Sequence, residues 1–512
     1  MTTVYSPVDG KKLYDVADGN VEEAYARARK FAPKIAEMSP KQRADHCKNL
    51  QYYIAENREA ILDRIIAETG KSRFDALSSE IFATLDVIHY YSLNGPKLLK
   101  DRKLPFSLAF MGKTSKIYYE PLGVVLVISP WNYPFYQAVV PLVNAFIAGN
   151  SVVYKPSEVT PLKGLVEDVL QKSGFPAEAM QIVYGGKDVG RRLVEARPDK
   201  IFFTGSRNAG KKIMEAAAKN LTPVELELGG KDPMLVFEDV NIERTVNGAL
   251  WGALTTCGQS CTSVERLYVH QSIFEPFKKM LEDKLSKLRT AAPGADVAKN
   301  LNLDVGTMTA QFQSDTVRRQ VEAAKSAGAS VFMPREHAAD LHLSPVLLTR
   351  VTHQMEVMVE ETFGPVLPMA SFKTEAEAIE LANDSPYGLS ASVWSKDLSR
   401  AERVARAIKT GNVSINNVMY TEANPGLPFG GTKDSGFGRY KGEYGLYTFC
   451  NVKSVLIDQQ SKKIEPHWYP YTPEKYAALS KLIDGLFSRG ASLIKFVSAG
   501  LGIESLAQKQ KL

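Results

Sequence analysis

The sequence predicts an α/β protein with two parallel-sheet domains. Three observations carry this prediction. Residues 123–128 form a continuous apolar run, Gly123-Val124-Val125-Leu126-Val127-Ile128, which marks a strand buried on both faces. Similar runs recur at 151–156, 181–184 and 200–204, separated by helical segments such as 161–172. Strand and helix in alternation make a doubly wound parallel sheet, whose ligands sit beyond the carboxyl ends of the strands. The pattern then restarts after Gly230, with strands at 235–237, 266–270, 392–394 and 412–416 around helices at 274–288 and 375–383.

Ahead of the first sheet, residues 20–100 carry Ala, Ile and Leu at helical spacing, with Pro40 near a helix start. Residues 117–120 alternate as a strand does. The chain has 512 residues, 44% hydrophobic and 23% charged, enough for two or three domains with real cores. Its net charge of +6 is concentrated at the end. Residues 461–512 hold eight Lys and Arg, Lys462 and Lys511 among them, against four acids. The body is nearly neutral, which argues against a nucleic-acid partner. Four cysteines, Cys47, Cys257, Cys261 and Cys450, read as free thiols of a reducing compartment. Cys257 and Cys261 lack neighbours to complete a zinc site, so no metal is expected. The first residues carry no signal-peptide pattern, and no apolar run approaches the ~20 residues of a spanning helix. A cytoplasmic enzyme is expected.

Several segments carry chemistry. Val224 to Lys231 reads as a strand ending in a glycine turn, and Cys261 lies in a small-residue loop 34 residues after Glu227. A thiol and a carboxylate placed this way suit covalent catalysis. The thiolate attacks, and the carboxylate activates water to release the product. Alone, Cys261 also reads as a core thiol and Glu227 as a solvated strand end. Pro130-Trp131-Asn132-Tyr133-Pro134 follows a strand, where Asn-x-Pro is ordinarily an Asx turn. Phe202 to Ser206 ends a strand and opens a helix at 208–220. Free amides there suit a phosphate, although an ordinary βα turn looks the same. Gly185-Gly186 opens another helix, and Lys155 with Glu158 can hold a ribose through its hydroxyls. Glu360-Glu361, before Thr362-Phe363-Gly364-Pro365, alone reads as a solvated acidic pair.

Taken together and in this order, to about residue 459, these segments resemble the aldehyde dehydrogenase superfamily. The resemblance implies a Rossmann-like NAD(P)-binding domain at 1–103 and 121–229, and a catalytic domain at 230–445. It also implies a small β oligomerisation arm at 104–120 with 446–459, through which members form homodimers or homotetramers. By resemblance Cys261 is the nucleophile, Glu227 the general base, and Asn132 the oxyanion donor beside the Cys261 backbone N–H. The implied cofactor set is Trp131, Lys155, Glu158, Gly186, Gly205, Ser206, Leu228, Glu361 and Phe363. Within it Lys155 and Glu158 take the adenosine ribose, Gly205 and Ser206 lie near the pyrophosphate, and Glu361 and Phe363 position the nicotinamide ribose and ring. A carboxylate at Glu158 repels a 2′-phosphate and favours NAD, while Lys155 leaves NADP possible. Tyr133, Gln137, Ser260 and Thr262 flank the catalytic residues and would line an aldehyde tunnel. Residues 427–436 match a further family signature, and Asn416 is assigned a structural role. None of the seven histidines falls in these motifs, which disfavours a Cys-His hydrolase. Glu227 favours release of a free acid over transfer to coenzyme A.

Residues 460–512 form a basic amphipathic extension. Leu479, Leu482, Ile483, Leu486, Phe487, Leu493, Ile494, Val497 and Leu501 fall on one helical stripe, with Gly490 and Gly500 as candidate breaks. Residues 475–505 can lie on an anionic membrane, or pack on the enzyme or a neighbouring subunit. The expected activity is oxidation of a medium- or long-chain aliphatic aldehyde to its acid. One rival is a semialdehyde dehydrogenase of amino-acid or polyamine metabolism, which needs a charged pocket residue that the sequence does not reveal. Others are an acyl-transferring enzyme and a silent member serving as a binding protein, against which Cys261, Glu227 and Asn132 stand intact.

Overall fold

The computed structural model describes residues 1–107, 110, 112–459 and 463–510. It divides into two compact units, Met1–Lys100 with Tyr119–Val452, and Asp101–Tyr118 with Lys453–Leu512.

The first unit contains a six-stranded sheet. Its order is Gly436–Phe437, Val224–Glu227, Lys200–Thr204, Val124–Ile128, Ser151–Lys155 and Met180–Ile182. All neighbours run parallel except Gly436–Phe437, which pairs antiparallel with Val224–Glu227. Every residue of Val124–Ile128, Ser151–Lys155 and Lys200–Thr204 is buried, as continuous apolar runs require of strands covered on both faces. A seven-stranded sheet follows in the same unit. Its order is Ser330–Phe332, Val346–Thr349, Val366–Phe372, Val264–His270, Asp232–Val236, Ser390–Trp394 and Asn412–Ile415. Only the edge strand Ser330–Phe332 is antiparallel. The architecture is thus α/β with parallel-sheet domains, as the sequence predicts.

The helix Tyr136–Ile147 lies buried at every position, because it packs between the first sheet and the N-terminal helices. The helix expected over 161–172 begins only at Leu165. Leu162 and Gly164 hold left-handed φ of 47° and 78°, so no α-turn can start before Gly164. Pro40 stands at the first turn of Pro40–Glu56, with Ser39 and Gln42 forming a reciprocal cap. A π-helical turn, Leu77–Phe82, interrupts the helices at Glu80.

The second unit contains most of a three-stranded sheet, in the order Cys450–Asp458, Lys113–Pro121, Arg102–Lys103. Residues 108, 109 and 111 of the expected arm lie outside the described residues, as do Lys462 and Lys511 of the basic tail. The tail itself is not one stripe. It forms two helices, Pro473–Phe487 and Leu493–Lys509, folded back on each other. The break falls at 488–492 and includes Gly490, whereas Gly500 sits inside the second helix and breaks nothing. Gly485 lets the helices close up, since a Cβ there would stand 2.7 Å from the Phe496 nitrogen. Among the described residues no helix is long and apolar enough to cross a membrane.

Phe146, fully buried, packs against Phe175 with ring centroids 4.5 Å apart. Phe146→Ala should lower stability by about 3–5 kcal/mol, from lost burial plus the cavity left behind. Urea unfolding checks this; an unchanged midpoint would contradict the packing described.

Candidate active site

Three loops from two sheets converge at the ends of their strands. The first follows Val124–Ile128 and carries Asn132. Its far end is held by Glu80, whose Oε2 accepts from the backbone N–H of Phe135 at 3.1 Å and of Tyr136 at 2.8 Å. A carboxylate at the start of the helix Tyr136–Ile147 meets its positive end. The Lys71 ammonium completes the arrangement, 2.5 Å from Glu80 Oε1 and 3.9 Å from the centroid of the Tyr133 ring. Both partners of this ion pair are buried. Asn132 is buried too, and its Nδ2 donates to the carbonyl of Gln259 at 2.9 Å. One amide hydrogen thus fixes the side chain, and the second is left for a further acceptor.

The second loop carries Cys261. Asp75 anchors its start, accepting from Thr255 Oγ1 at 2.8 Å and the Thr256 N–H at 2.9 Å. Thr256, Cys257 and Gly258 are all left-handed, with φ of 53°, 58° and 72°. Gln259 ties the loop to Thr309, whose N–H donates to its Oε1 at 2.9 Å. Cys261 is the one cysteine of the four that is partly exposed. Burial of the surrounding site, then Glu422, raise its thiol well above the ordinary range. Ser260 and Thr262 share a 3.3 Å hydroxyl contact, and Thr262 Oγ1 donates to Glu422 Oε2 at 2.6 Å.

Glu227 ends its strand opposite Gly436 and beside Thr204. Its carboxylate is buried, and neither oxygen has a hydrogen-bond partner among the described residues. Gly430 lies against it, since a Cβ there would stand 2.9 Å from Oε1. Burial first, and Glu225 second, push Glu227 well above the usual carboxylate range; Arg439 and Lys441 oppose them. A buried carboxylate with a raised affinity for protons is suited to deprotonating a water.

Where the strand turns, Gly229 and Gly230 have no room for side chains. A Cβ at Gly230 would stand 2.5 Å from the Cys261 carbonyl, and one at Gly229 would stand 2.4 Å from Glu361 Oε2. Glu361 Oε1 accepts from the Gly230 N–H at 3.1 Å, and burial raises its pKa to about 8. The Glu361 loop is pinned by Glu265, which accepts from the N–H groups of Thr362 at 2.7 Å and Phe363 at 2.8 Å and from Lys231 at 2.6 Å. Phe363 meets the Trp131 ring edge to face, 5.3 Å between centroids.

The remaining expected residues lie along the first sheet. Lys155 is buried, with Nζ 3.1 Å from the Pro156 carbonyl and 3.5 Å from Glu158 Oε2. Gly186 and Ser206 occupy the N-caps of Lys187–Glu195 and Arg207–Ala218, and Ser206 Oγ accepts from the Ala209 N–H at 3.3 Å. The Gly205 N–H donates to the Glu227 carbonyl at 3.0 Å. Leu228 packs where a Cβ on Gly210 would stand, 2.6 Å away. Gln137 turns to the same sheet, its Oε1 accepting from Thr204 Oγ1 at 3.4 Å. Tyr133 is buried between Lys71 and the Cys261 loop.

The structure adds residues that the sequence reading passes over. Glu422, on the short helix Tyr420–Ala423, reaches Thr262, and its carbonyl accepts from the Lys441 ammonium. Lys441 is fully enclosed. These are the charged groups at the pocket that the sequence does not reveal. Glu265, Asp75, Glu80 and Lys71 also escape it, because single charged residues, whether at a strand start, in a short helix or in a loop, carry no periodic signal.

The aldehyde dehydrogenase family model matches residues 1–455. A 4,4'-diapolycopene aldehyde oxidase of Methylomonas sp is 41% identical over 500 residues, spanning 96% of this chain and 93% of the relative. A chloroplastic betaine aldehyde dehydrogenase of Atriplex hortensis is 35% identical over 81% of this chain and 83% of the relative. The crystal structure of betaine aldehyde dehydrogenase from Staphylococcus aureus, in complex with NAD+, superposes with a TM-score of 0.83 at 30% identity, covering 92% of this chain and 93% of that one. The chain therefore belongs to the aldehyde dehydrogenase family, oxidoreductases that act on aldehydes.

Proposed function

We propose that this enzyme oxidises a long apolar aldehyde to its carboxylic acid with NAD, through a thioester on Cys261. The observation that carries the chemistry is the meeting of Cys261, Glu227 and Asn132 around the glycine turn. The cofactor fit rests on the cradle around that turn. Gly205 and Gly229 leave no space for a Cβ, Ser206 caps a helix that starts there, and Lys155 stands beside a half-exposed Glu158. These groups suit a pyrophosphate and a ribose diol. Trp131, Gly186, Leu228, Glu361 and Phe363 would complete the cofactor site. Glu158 favours NAD over NADP because a 2′-phosphate would meet its charge. We further assign residues 1–103 and 121–229 to cofactor binding, 230–445 to catalysis, and 104–120 with 446–459 to pairing of subunits.

In this reading the Cys261 thiolate adds to the aldehyde carbon, and the carbonyl oxygen becomes an alkoxide. The free hydrogen of Asn132 Nδ2 and the Cys261 backbone N–H donate to that oxygen. A nicotinamide held by Glu361 and Phe363 would supply the hydride acceptor needed to oxidise the thiohemiacetal to the thioester. Glu227 then takes a proton from water, the hydroxide attacks the thioester carbonyl, and the C–S bond breaks to release the acid and the thiolate. A carboxylate raised by burial takes that proton more readily than an ordinary one.

The long apolar substrate is favoured over a semialdehyde by how the pocket charges are used. Glu422 accepts from Thr262, and Lys441 is enclosed and bonded to the Glu422 carbonyl, so neither is an open partner for a charged group on a substrate. The relative at 41% identity, named as a 4,4'-diapolycopene aldehyde oxidase, matches 96% of this chain. The C-terminal hairpin supports docking to a lipid surface that dissolves such substrates. Phe487, Leu493 and Ile494 at its turn are 75%, 62% and 82% exposed, with Arg489 and Lys495 among them. Exposed apolar tips with basic neighbours suit an anionic bilayer interface.

Asn132→Ala should lower kcat by about 10²–10³, or ~3–4 kcal/mol of barrier, with folding intact. Steady-state assay with hexadecanal and NAD checks this; an undiminished kcat would remove Asn132 from the oxyanion site. For the tail, Phe487→Asp with Ile494→Asp should abolish sedimentation with anionic vesicles. The same variant should raise KM for hexadecanal while leaving acetaldehyde unaffected. Equal vesicle binding by variant and wild type would contradict the docking.

A further inference from the structure

Lys441 is a lysine in an unusual position. Its backbone is left-handed, φ 72°, a conformation that L side chains other than Asn and Asp seldom adopt. Gly442 follows at φ 57°, and its N–H donates to the Pro425 carbonyl at 2.8 Å. The Lys441 side chain is 1% exposed. Its ammonium donates to the Glu422 main-chain carbonyl and lies 5.2 Å from the ring centroid of Phe429, and 5.5 Å from those of Tyr136 and Tyr440. Ring faces attract a cation, and the carbonyl takes one of its hydrogens. The backbone ladder between Phe429 and Tyr440, at 2.7 and 2.8 Å, fixes this cage next to Gly430, which lies on the Glu227 carboxylate.

The charges around the cage are unbalanced. Glu227, Cys261, Glu422 and Asp86 face Lys441 from four different segments. Cys261 also faces Asp232 and Glu361, and Glu227 also faces Glu225. Several of these acids are engaged elsewhere: Glu225 by Lys200 at 3.0 Å, Asp232 by the Ser390 N–H at 3.0 Å, and Glu361 by the Gly230 N–H. Arg439, the other cation facing Glu227, spends its guanidinium on the carbonyls of Gly431 at 2.7 Å and Gly438 at 2.6 Å. The phenols of Tyr133, Tyr136 and Tyr440 close the space, and burial keeps all three protonated. Burial pulls Lys441 toward its neutral form, while Glu422, Cys261 and Glu227 hold its proton on. Cys261 and Glu227 thus both favour the charged form of Lys441, against its burial.

We propose that Lys441 is a positioning residue for both half-reactions: its caged ammonium supplies the positive charge against which Cys261 becomes a thiolate and Glu227 stays a carboxylate. The proposal rests on the roles given above to Cys261 and Glu227, and it adds the group that makes them chargeable. In a buried site an ammonium acts far more strongly on a neighbouring charge than one in water. Removing it therefore moves both ionisations to higher pH.

The test is the pH dependence of Cys261 alkylation by iodoacetamide in the full-length enzyme without cofactor, located by peptide mass. Wild type, Lys441→Met and Lys441→Gln are compared, with thermal midpoints as a control for folding. Methionine keeps the apolar stem in the aromatic cage, and glutamine keeps a donor for the Glu422 carbonyl. In either neutral variant that folds, the alkylation midpoint should rise by about one pH unit or more, roughly tenfold slower labelling at pH 7. The acidic limb of kcat/KM should move the same way. An alkylation midpoint equal to wild type in a folded neutral variant overturns the proposal. Retained turnover in Cys261→Ala would instead remove the nucleophile, a distinct result that takes this proposal with it.

Discussion

At Gly229 and Gly230 two strand ends and two loops are packed with no space for a Cβ. The Cys261 carbonyl presses on one glycine and the Glu361 carboxylate on the other, and Glu227 stands three residues from Gly230. Residues of the nucleophile, base and cofactor loops therefore share one close approach. An alanine at either position would push the thiol loop or the Glu361 loop away from the strand that carries the base. The geometry of the reaction follows from this steric constraint more than from any single hydrogen bond.

Buried carboxylates then hold the loops that the turn brings together. Glu80 fixes the Asn132 segment, Asp75 the Cys261 loop and Glu265 the Glu361 loop, each by accepting backbone N–H groups. Two of the three are paired with buried lysines, Lys71 and Lys231. Breaking such a pair from one side strands a charge in the interior and typically costs about 3–5 kcal/mol. Glu227 differs from these carboxylates in having no partner among the described residues. The contrast separates a carboxylate that builds the site from one free to take a proton. Lys441 belongs with the second kind, a charge aimed at the reacting groups.

Much of the fold is legible in the sequence because uninterrupted apolar runs have few other readings. Val124–Ile128, Ser151–Lys155 and Lys200–Thr204 are such runs, and all became central strands. The helix Tyr136–Ile147 is not legible, since burial on every face erases the periodicity that marks a helix. Val366–Phe372 is hidden by Pro368, which ordinarily argues against a central strand. The tail pattern indicates helices but not where they fold, because Gly490 and Gly500 look alike in sequence and only the first ends a helix. The candidate catalytic trio was legible through motif resemblance. Lys441, Glu422 and Glu265 were not, because their partners lie 19 to 160 residues away and only folding brings them together.

The central claim is that Cys261 carries the acyl group and Glu227 releases it by activating water. Intact-protein and peptide mass measurement on Glu227→Gln, mixed with a long-chain aldehyde and NAD, tests this most directly. The account predicts one rapid equivalent of reduced cofactor and an acyl adduct that accumulates on Cys261. Steady turnover at the wild-type rate with no adduct, or an adduct on another residue, would contradict it.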